Sequence, residues 1–437
     1  MIELITSLVT KSLLIAESIA GEQRYGFLES TRHYAKDKLI ARGQYERVAR
    51  RHALACLESA ERSMRVWATT PEQTWFSRGR IEFENWRAAL DWALEKRNDV
   101  VLGQRLAAAY FWTAHRFDQR ESMRRIRTAL ELVDEETPRD LVAKLEHRLA
   151  SGLAAAGERA ESLAAAQRAL MHYRELGDQG SVARLQTLVA SSLALLGKPA
   201  QAEQLLTDAL QTARAIGDQR VEANILEKIG WARSSVGDFA TARTYHYEAL
   251  RLAKAVGSEG FAADVSVNLA NMEFEAGNTE TALQLAVDFL TTRRAEAFPD
   301  AVAACMGNSA DYLVRLGRYD EAQVRAKETL DLARHLDLAT FVADALRQLG
   351  VIAVLRLSTE HQPDLSFCRI IARIFGFTHS REIALGMATD SSRREYDRAL
   401  AILRSVLSSD DVTDLMTSGA MMTEDEAIAQ AHSLELE

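Results

Sequence analysis

The chain has 437 residues, 47% of them hydrophobic, and this length and apolar content allow extensive buried cores and roughly three domains. Its formal net charge of −9 argues against a general nucleic-acid-binding surface, so we expect no direct nucleic-acid partner. Five prolines and frequent Ala, Leu, Arg and Glu favour an all-α fold, and three scattered cysteines exclude a disulfide framework or a cysteine-based zinc site.

The first twenty residues are apolar but carry Glu3, Lys11 and Glu17. They lack the basic n-region and the continuous apolar run of a signal peptide. No apolar run in the chain reaches the roughly 18 residues that a membrane span requires. Together with the cysteine usage, these features predict a cytoplasmic protein without a membrane partner.

The segment from Leu8 to Gly43 is interpreted as the end of a helix, a β-hairpin and a following helix. We expect strands near Ser12–Ala16 and Arg24–Leu28, joined across Ser18–Gln23. Helical segments follow up to about residue 138.

From about residue 139 the sequence repeats with a period of forty residues. Small residues stand seven before and five after a recurring glycine, and leucine stands thirteen after it. The spacing of apolar residues predicts two amphipathic helices of about sixteen residues in each unit. Neighbouring units must stack to bury the apolar faces of these helices. The recurring glycines are at 157, 197, 237, 277 and 317, with a second set twenty residues out of phase at 177, 217 and 257.

The repeated positions have a physical explanation. Glycine just past a helix can adopt the left-handed conformation that other residues resist, and small residues let two helices approach closely. Asp178, Asp218 and Asp238 each follow a glycine, where an aspartate can cap the next helix. Gly197-Lys198 is therefore a helix–helix turn and not a P-loop, which needs a second glycine and a following Ser or Thr.

This pattern resembles the tetratricopeptide repeat, in which a small residue, a glycine, an alanine and another small residue recur at these intervals. The last small-residue slot holds Ala169, Ala209 and Ala249, then departs to Phe289 and Thr329. The forty-residue length is similar to the long-helix variant of large bacterial regulators. The resemblance implies a helical-hairpin superhelix that binds a protein or peptide.

A second resemblance covers nearly the whole chain. The runs LVTKSL (8–13) and RYGFLESTRHYA (24–35), with ENWRAALDW (84–92), resemble the region after the nucleotide-binding module of bacterial STAND-class signal-transduction ATPases. Two C-terminal stretches, ARIFGFTHSREIALG and SGAMMTEDEAIAQA, resemble the closing module of those regulators. The P-loop, the Walker B carboxylate and the front of the winged helix would all precede Met1, so we expect no ATP hydrolysis.

We expect the chain to consist of four segments, and the STAND resemblance implies a function for them. The parts are a truncated winged-helix remnant (1–43), an N-terminal helical segment (44–138), the repeats (139–357) and a helical cap (364–437) after the linker LSTEHQPD (357–364). The role is the effector-sensing arm of a signalling or transcriptional regulator, with a fused or separate NTPase module as partner. A stand-alone adaptor for a partner peptide and a small-molecule sensor remain open as alternatives.

Candidate binding residues lie on the first helix of each repeat. An asparagine amide can donate to and accept from a peptide backbone, and an exposed tryptophan can anchor an apolar side chain. The alternative is that the asparagines only satisfy neighbouring turns. The candidates are Lys228, Asn268 and Asn308, nine residues before the glycine, and Trp231, Asn271 and Asp311, six before it.

No pattern predicts catalysis, a cofactor or a metal site: H-E-x-x-H and G-x-S-x-G are absent, and the ten histidines are dispersed. We expect His246 to be a satisfied core or boundary histidine and Cys305 to be a buried thiol. Thr423 and Glu426 predict a capping box for the last helix. Two arginine clusters are interpreted as solvated helix faces, because acidic residues interleave them, with phosphate binding as the alternative. Their members are Arg47, Arg50 and Arg51, and Arg124, Arg125 and Arg127.

Overall fold

The computed structural model describes residues 2–19, 22–67, 70, 72–292, 298–336, 338–357, 364–385 and 393–433. This part of the chain is all-α apart from one antiparallel hairpin, which confirms the predicted fold class. The interior of the predicted linker, residues 358–363, lies outside the described residues.

The hairpin pairs β1 (Leu14–Ile19) with β2 (Glu22–Phe27), and Ala16 lies opposite Tyr25. It stands between helices α1 (Ile2–Thr10) and α2 (Glu29–Ala41), so the predicted order of helix, hairpin and helix is confirmed. Strand β1 begins two residues after the predicted start at Ser12. The reason is that Ser12 has φ of +56°, a left-handed conformation that no strand residue adopts.

The helices between the hairpin and the repeats vary more in length, from 13 to 22 residues. A π-helical turn at Asp91–Glu95 follows α4 directly. The helices are α3 (Tyr45–Val66), α4 (Glu72–Leu90), α5 (Val100–Phe117) and α6 (Gln119–Glu131).

The repeats form consecutive antiparallel helix pairs. Each helix from α8 to α17 contacts the next along the chain, and the first helices α9, α11, α13, α15 and α17 also contact one another in order. The first helices are α7 (Arg139–Ala155), α9 (Gln179–Leu195), α11 (Gln219–Ser235), α13 (Glu259–Glu275), α15 (Pro299–Arg315) and α17 (Ala339–Leu357). The second helices are α8 (Arg159–Leu176), α10 (Pro199–Ile216), α12 (Phe239–Ala255), α14 (Thr279–Leu290) and α16 (Tyr319–His335).

The repeated positions behave as the sequence predicts. The five repeat glycines have φ between +73° and +85°, the left-handed region that glycine enters without steric cost. Asp178, Asp218 and Asp238 each accept a hydrogen bond from a backbone N–H of the following helix, which confirms the predicted caps. The small-residue slots are buried, and Ser162 Oγ donates to Ala150 O at 2.8 Å, directly joining the two slots of one repeat.

The C-terminal helices pack on the last repeats through one continuous core, to which Leu349, Phe375 and Leu403 belong. The predicted capping box of the last helix is confirmed: Thr423 accepts from Glu426 N–H, and the Glu426 carboxylate accepts from Thr423 N–H. The helices are α18 (Leu365–Leu385), α19 (Arg393–Leu407), α20 (Ser409–Gly419) and α21 (Glu424–His432).

The described chain divides into two compact units. One comprises residues 1–66 and 76–149, and the other comprises 67–75 and 150–437. All six candidate binding residues belong to the second unit. The boundaries predicted near residues 43, 138 and 364 remain predictions.

Candidate functional site

The six candidate residues lie on three neighbouring first helices, α11, α13 and α15. On each helix the two candidates are three residues apart and therefore share a face. Because α13 contacts both α11 and α15, the three pairs follow one another across the repeats. We call this set the A-helix face: Lys228, Trp231, Asn268, Asn271, Asn308 and Asp311.

Lys228 and Asn268 are brought together by Glu227, a buried carboxylate on α11. Asn268 Nδ2 donates to Glu227 Oε1 at 2.9 Å, and Lys228 Nζ lies 2.9 Å from Glu227 Oε2. The partner of Asn268 is thus a side chain of the preceding repeat and not a neighbouring turn. Sequence reasoning missed Glu227, although a charged residue between the apolar Leu226 and Ile229 was a usable signal.

Trp231 is the exposed aromatic residue of the A-helix face. Its side chain is 41% exposed, whereas Trp75, Trp86 and Trp92 are at most 6% exposed. On α13 the Asn271 amide donates to Glu275 Oε1 at 3.2 Å, within its own helix. The face therefore combines an accessible indole with two side-chain amides, each of which has both donor and acceptor atoms.

The C-terminal end of the A-helix face is acidic. Burial raises the pKa of Asp311 to about 6; Arg347 on α17 opposes this shift, and Asp344 adds to it. Arg347 is 5% exposed, with its Nη2 3.3 Å from Asp344 Oδ1 and its Nε 3.3 Å from Glu382 Oε1. Burial also raises the pKa values of Asp344 and Glu382, so this group of three carboxylates holds protons more tightly than exposed carboxylates do.

Asn308 is half-buried on α15, one turn before Asp311. The structure thus places the pair Lys228 and Asn268 in contact through Glu227. It places Asp311 in a separate charged group around Arg347. Trp231 and Asn271 lie on the helices of the first group, α11 and α13, three residues after Lys228 and Asn268 respectively.

His246 and Cys305 are core residues. His246 is 2% exposed, and a Cβ at Gly230 would lie 3.0 Å from its ring, so the small residue there permits this packing. Burial lowers the pKa of His246, and its Nδ1 has no hydrogen-bond partner among the described residues, so it is buried but not fully satisfied. Burial raises the pKa of the Cys305 thiol to about 12, which leaves it protonated and unreactive.

The interpretation of the second arginine cluster as a solvated face is wrong for Arg125. This side chain is 5% exposed and pairs with Asp91, Glu95 and Glu121. The interleaved acidic residues fold around the guanidinium because the π-helical turn brings Asp91 and Glu95 against α6. Arg124, one residue earlier, is half exposed and pairs with Glu95.

Across the described ranges, no helix is long and apolar enough to cross a membrane. In the same part of the chain, no three His, Cys, Asp or Glu side chains are grouped so that they could hold a metal ion.

The sequence matches known proteins in its repeats. The tetratricopeptide repeat family model matches residues 181–255, which agrees with the predicted repeat and covers α9 to α12. A Mycobacterium bovis protein described as an HTH-type transcriptional regulator is 32% identical over 114 residues, and two Mycobacterium tuberculosis proteins of the same description match equally. These matches cover 25% of this chain, and the chain spans only 13% of the length of those relatives.

Two solved structures have a similar fold. A Rap protein complexed with competence and sporulation factor superposes with a TM-score of 0.55 at 11% identity, over 83% of this chain and 99% of that one. A STAND protein with a tetratricopeptide repeat sensor from Pyrococcus horikoshii gives a TM-score of 0.55 at 13% identity, over 95% of this chain and 60% of that one. At these identities the likeness concerns the fold alone.

Proposed function

We propose that this chain is a non-catalytic scaffold whose A-helix face binds a protein or peptide partner. The observation that carries the proposal is the exposed Trp231 beside Lys228 and Asn268. A tryptophan in such a setting anchors apolar side chains, and it contributes much of the binding energy at many interfaces. The amides of Asn268 and Asn271 supply donors and acceptors for a peptide backbone.

The fold of the neighbours supports this proposal. The Rap protein of similar fold was solved in complex with competence and sporulation factor, and a repeat scaffold offers an extended surface for a partner. The proposed function is binding and needs no catalytic residue. It is consistent with the burial of His246 and Cys305 in the core.

We propose further that the scaffold is the effector-sensing arm of a STAND-type signalling or transcriptional regulator. Effector binding to the A-helix face would relieve the arm's hold on an NTPase module, either fused or separate. The resemblance in the sequence, the fold of the Pyrococcus horikoshii sensor protein and the identity to mycobacterial regulators support this role.

Site-specific photo-crosslinking tests the binding face. A benzoylphenylalanine residue replaces Trp231 on the A-helix face or Val324 on α16, which is exposed at 58%. We expect an adduct in cells from the position of Trp231 and none from that of Val324. The double substitution Asn268→Ala and Asn308→Ala should remove the adduct. Adducts of equal yield at both positions would contradict the proposal.

The size of the native polypeptide separates the fused from the separate arrangement. An immunoblot of the source cells with an antibody against the repeats would show a band much larger than 48.6 kDa if an NTPase module is fused to this chain. A band near 48.6 kDa would favour a separate partner or the stand-alone adaptor. A small-molecule sensor would instead show thermal stabilisation by a metabolite and none by peptides.

A further inference from the structure

We propose that a second binding site, for an uncharged and largely apolar small molecule, lies between α12, α13 and α14. The described residues there enclose a cavity of about 530 Å³. Ligand sites of drug-sized molecules occupy roughly 300–1,000 Å³ and are lined mainly by hydrophobic side chains. This cavity has that size and that chemistry.

The cavity arises from an irregularity in the repeat. Helix α14 has 12 residues, whereas α8, α10, α12 and α16 have 17 or 18. In an antiparallel pair, the end of the second helix covers the beginning of the first. In the last turns of α10, α12 and α16, Ala213, Ala253 and Ala333 are fully buried, whereas α14 ends at Leu290. On α13 the cavity is lined from the first turns onward, beginning with Glu259, Ala262 and Ala263.

Phe289 contributes a second irregularity. It occupies the slot that holds Ala169, Ala209 and Ala249 in the preceding repeats, all of which are fully buried. A phenyl ring cannot occupy a slot shaped for a methyl group without moving the backbones apart. Phe289 is half-buried and forms part of the cavity wall.

The lining determines the class of ligand. Large apolar side chains line much of the cavity. The hydroxyl groups of Ser266 and Thr292 in its wall already donate hydrogen bonds to backbone carbonyls. Ser266 Oγ donates to Ala262 O at 2.8 Å, and Thr292 Oγ1 donates to Phe289 O at 2.7 Å. The apolar wall consists of Leu250, Leu269, Leu285, Phe289 and Phe298.

The charged groups of the lining have both signs. Lys254 provides one cation, and Glu259 and Asp288 provide two carboxylates. Neither a strongly anionic nor a strongly cationic ligand is favoured by such a mixture. Against the apolar part of the wall, a polar group of the ligand would lose its water without gaining a hydrogen bond. The geometry therefore fits an uncharged aromatic or branched aliphatic molecule with any polar group at the mouth.

The cavity is separate from the A-helix face. On α13 it is lined by Ser266, two residues before Asn268 of the A-helix face. Two residues of an α-helix are about 200° apart around its axis, so the two side chains point to opposite sides. The proposed ligand site therefore does not depend on the peptide-binding proposal.

Fluorescence titration with N-phenyl-1-naphthylamine, an uncharged apolar dye, tests the site. We expect saturable enhancement with one molecule bound per chain. Ser266→Leu places an isobutyl group in the cavity and should weaken dye binding at least tenfold. The matched control is Ser191→Leu on α9, because Ser191 is also half-buried and its hydroxyl also donates to a backbone carbonyl four residues earlier.

The outcomes are distinguishable. Ser266→Val fills less of the cavity and should weaken binding less, so it serves if Ser266→Leu fails to fold by circular dichroism. Absence of saturable binding to the unchanged chain would overturn the proposal. So would equal affinities of the Ser266 and Ser191 variants, since the dye would then lie on another apolar surface.

Discussion

Asn268 donates its side-chain amide to the buried Glu227 carboxylate across two repeats, with 2.9 Å between Nδ2 and Oε1. Glu227 is 2% exposed, so each oxygen that loses a donor is left without water to replace it. The same residue that we propose as a peptide ligand therefore also ties α13 to α11.

Asn268→Ala should destabilise the chain even without a partner. An unsatisfied buried carboxylate oxygen costs about 1–3 kcal/mol, and we expect a loss in that range. The control is Asn224→Ala on α11, because Asn224 is no more exposed than Asn268 but its side chain makes no hydrogen bond among the described residues. It should change stability by less than about 0.5 kcal/mol. Urea unfolding followed by circular dichroism measures both, and equal losses would refute this structural role.

The titration of Asp311 should lower the stability of the repeat unit as the pH rises from about 4 to 6. Asp311 keeps its proton up to about pH 6 in the folded chain, whereas the unfolded chain releases it near pH 4. Over this window the folded state binds more protons, so rising pH favours unfolding. Arg347 and Gln348 oppose the shift, and Asp344 and Glu395 add to it.

Asp311→Asn removes this titration. The variant should gain stability relative to the unchanged chain by at most about 3 kcal/mol at pH 7.5, and by much less at pH 4.5. Urea midpoints at the two pH values give the comparison. A stability difference that is the same at both values would show that Asp311 does not titrate in this window.

Arg125→Met should destabilise the first unit strongly. Removal of this buried guanidinium leaves Asp91, Glu95 and Glu121 without their shared cation, and breaking a buried pair costs roughly 3–5 kcal/mol. Burial alone would raise the pKa of Glu121, but hydrogen bonds donated by Arg87 and Arg125 lower it. Arg124→Met is the control, because an exposed pair contributes at most about 1 kcal/mol. Thermal unfolding that shifts equally in both variants would exclude the predicted difference.

Two glycines ten residues apart should respond to alanine in opposite directions. Gly317 has φ of +73°, where an L-residue costs roughly 1–2 kcal/mol, so Gly317→Ala should destabilise. Gly307 lies inside α15, and a Cβ there would meet only Thr329 Cγ2 at 3.8 Å and Gln348 Nε2 at 4.0 Å. Gly307→Ala should therefore stabilise by up to about 1 kcal/mol through helix propensity. Denaturant midpoints that move in the same direction would contradict this interpretation.

Much of the fold could be predicted from the sequence because its signals are local. The left-handed glycines, the aspartate caps and the small-residue slots each depend on residues within one turn or one helix pair. The glycines and the small residues also recur at the same spacing in successive repeats. The capping box at Thr423 and Glu426 is local in the same sense. The start of β1 was misplaced because the left-handed φ of Ser12 is not encoded by its residue type.

The candidate site was less predictable, because several of its contacts join residues that are far apart in the chain, such as Asn268 with Glu227 and Arg347 with Glu382. Repeat spacing could place Asn268 and Trp231 on one face, but not Asn268 against Glu227. Nor could it place Arg347 between carboxylates of α15, α17 and α18, because that depends on where the C-terminal helices pack.

The sequence by itself determined the type of element, the period and the face that each helix buries, since these follow from spacing along one chain. Only the tertiary structure decided which helices approach most closely. Gly376 and Gly419 illustrate this: a Cβ on either would lie within about 2 Å of the opposing backbone, of Met416 O for Gly376 and of Arg373 O for Gly419. Neither glycine has a positive φ, so only the crossing of α18 and α20 explains them.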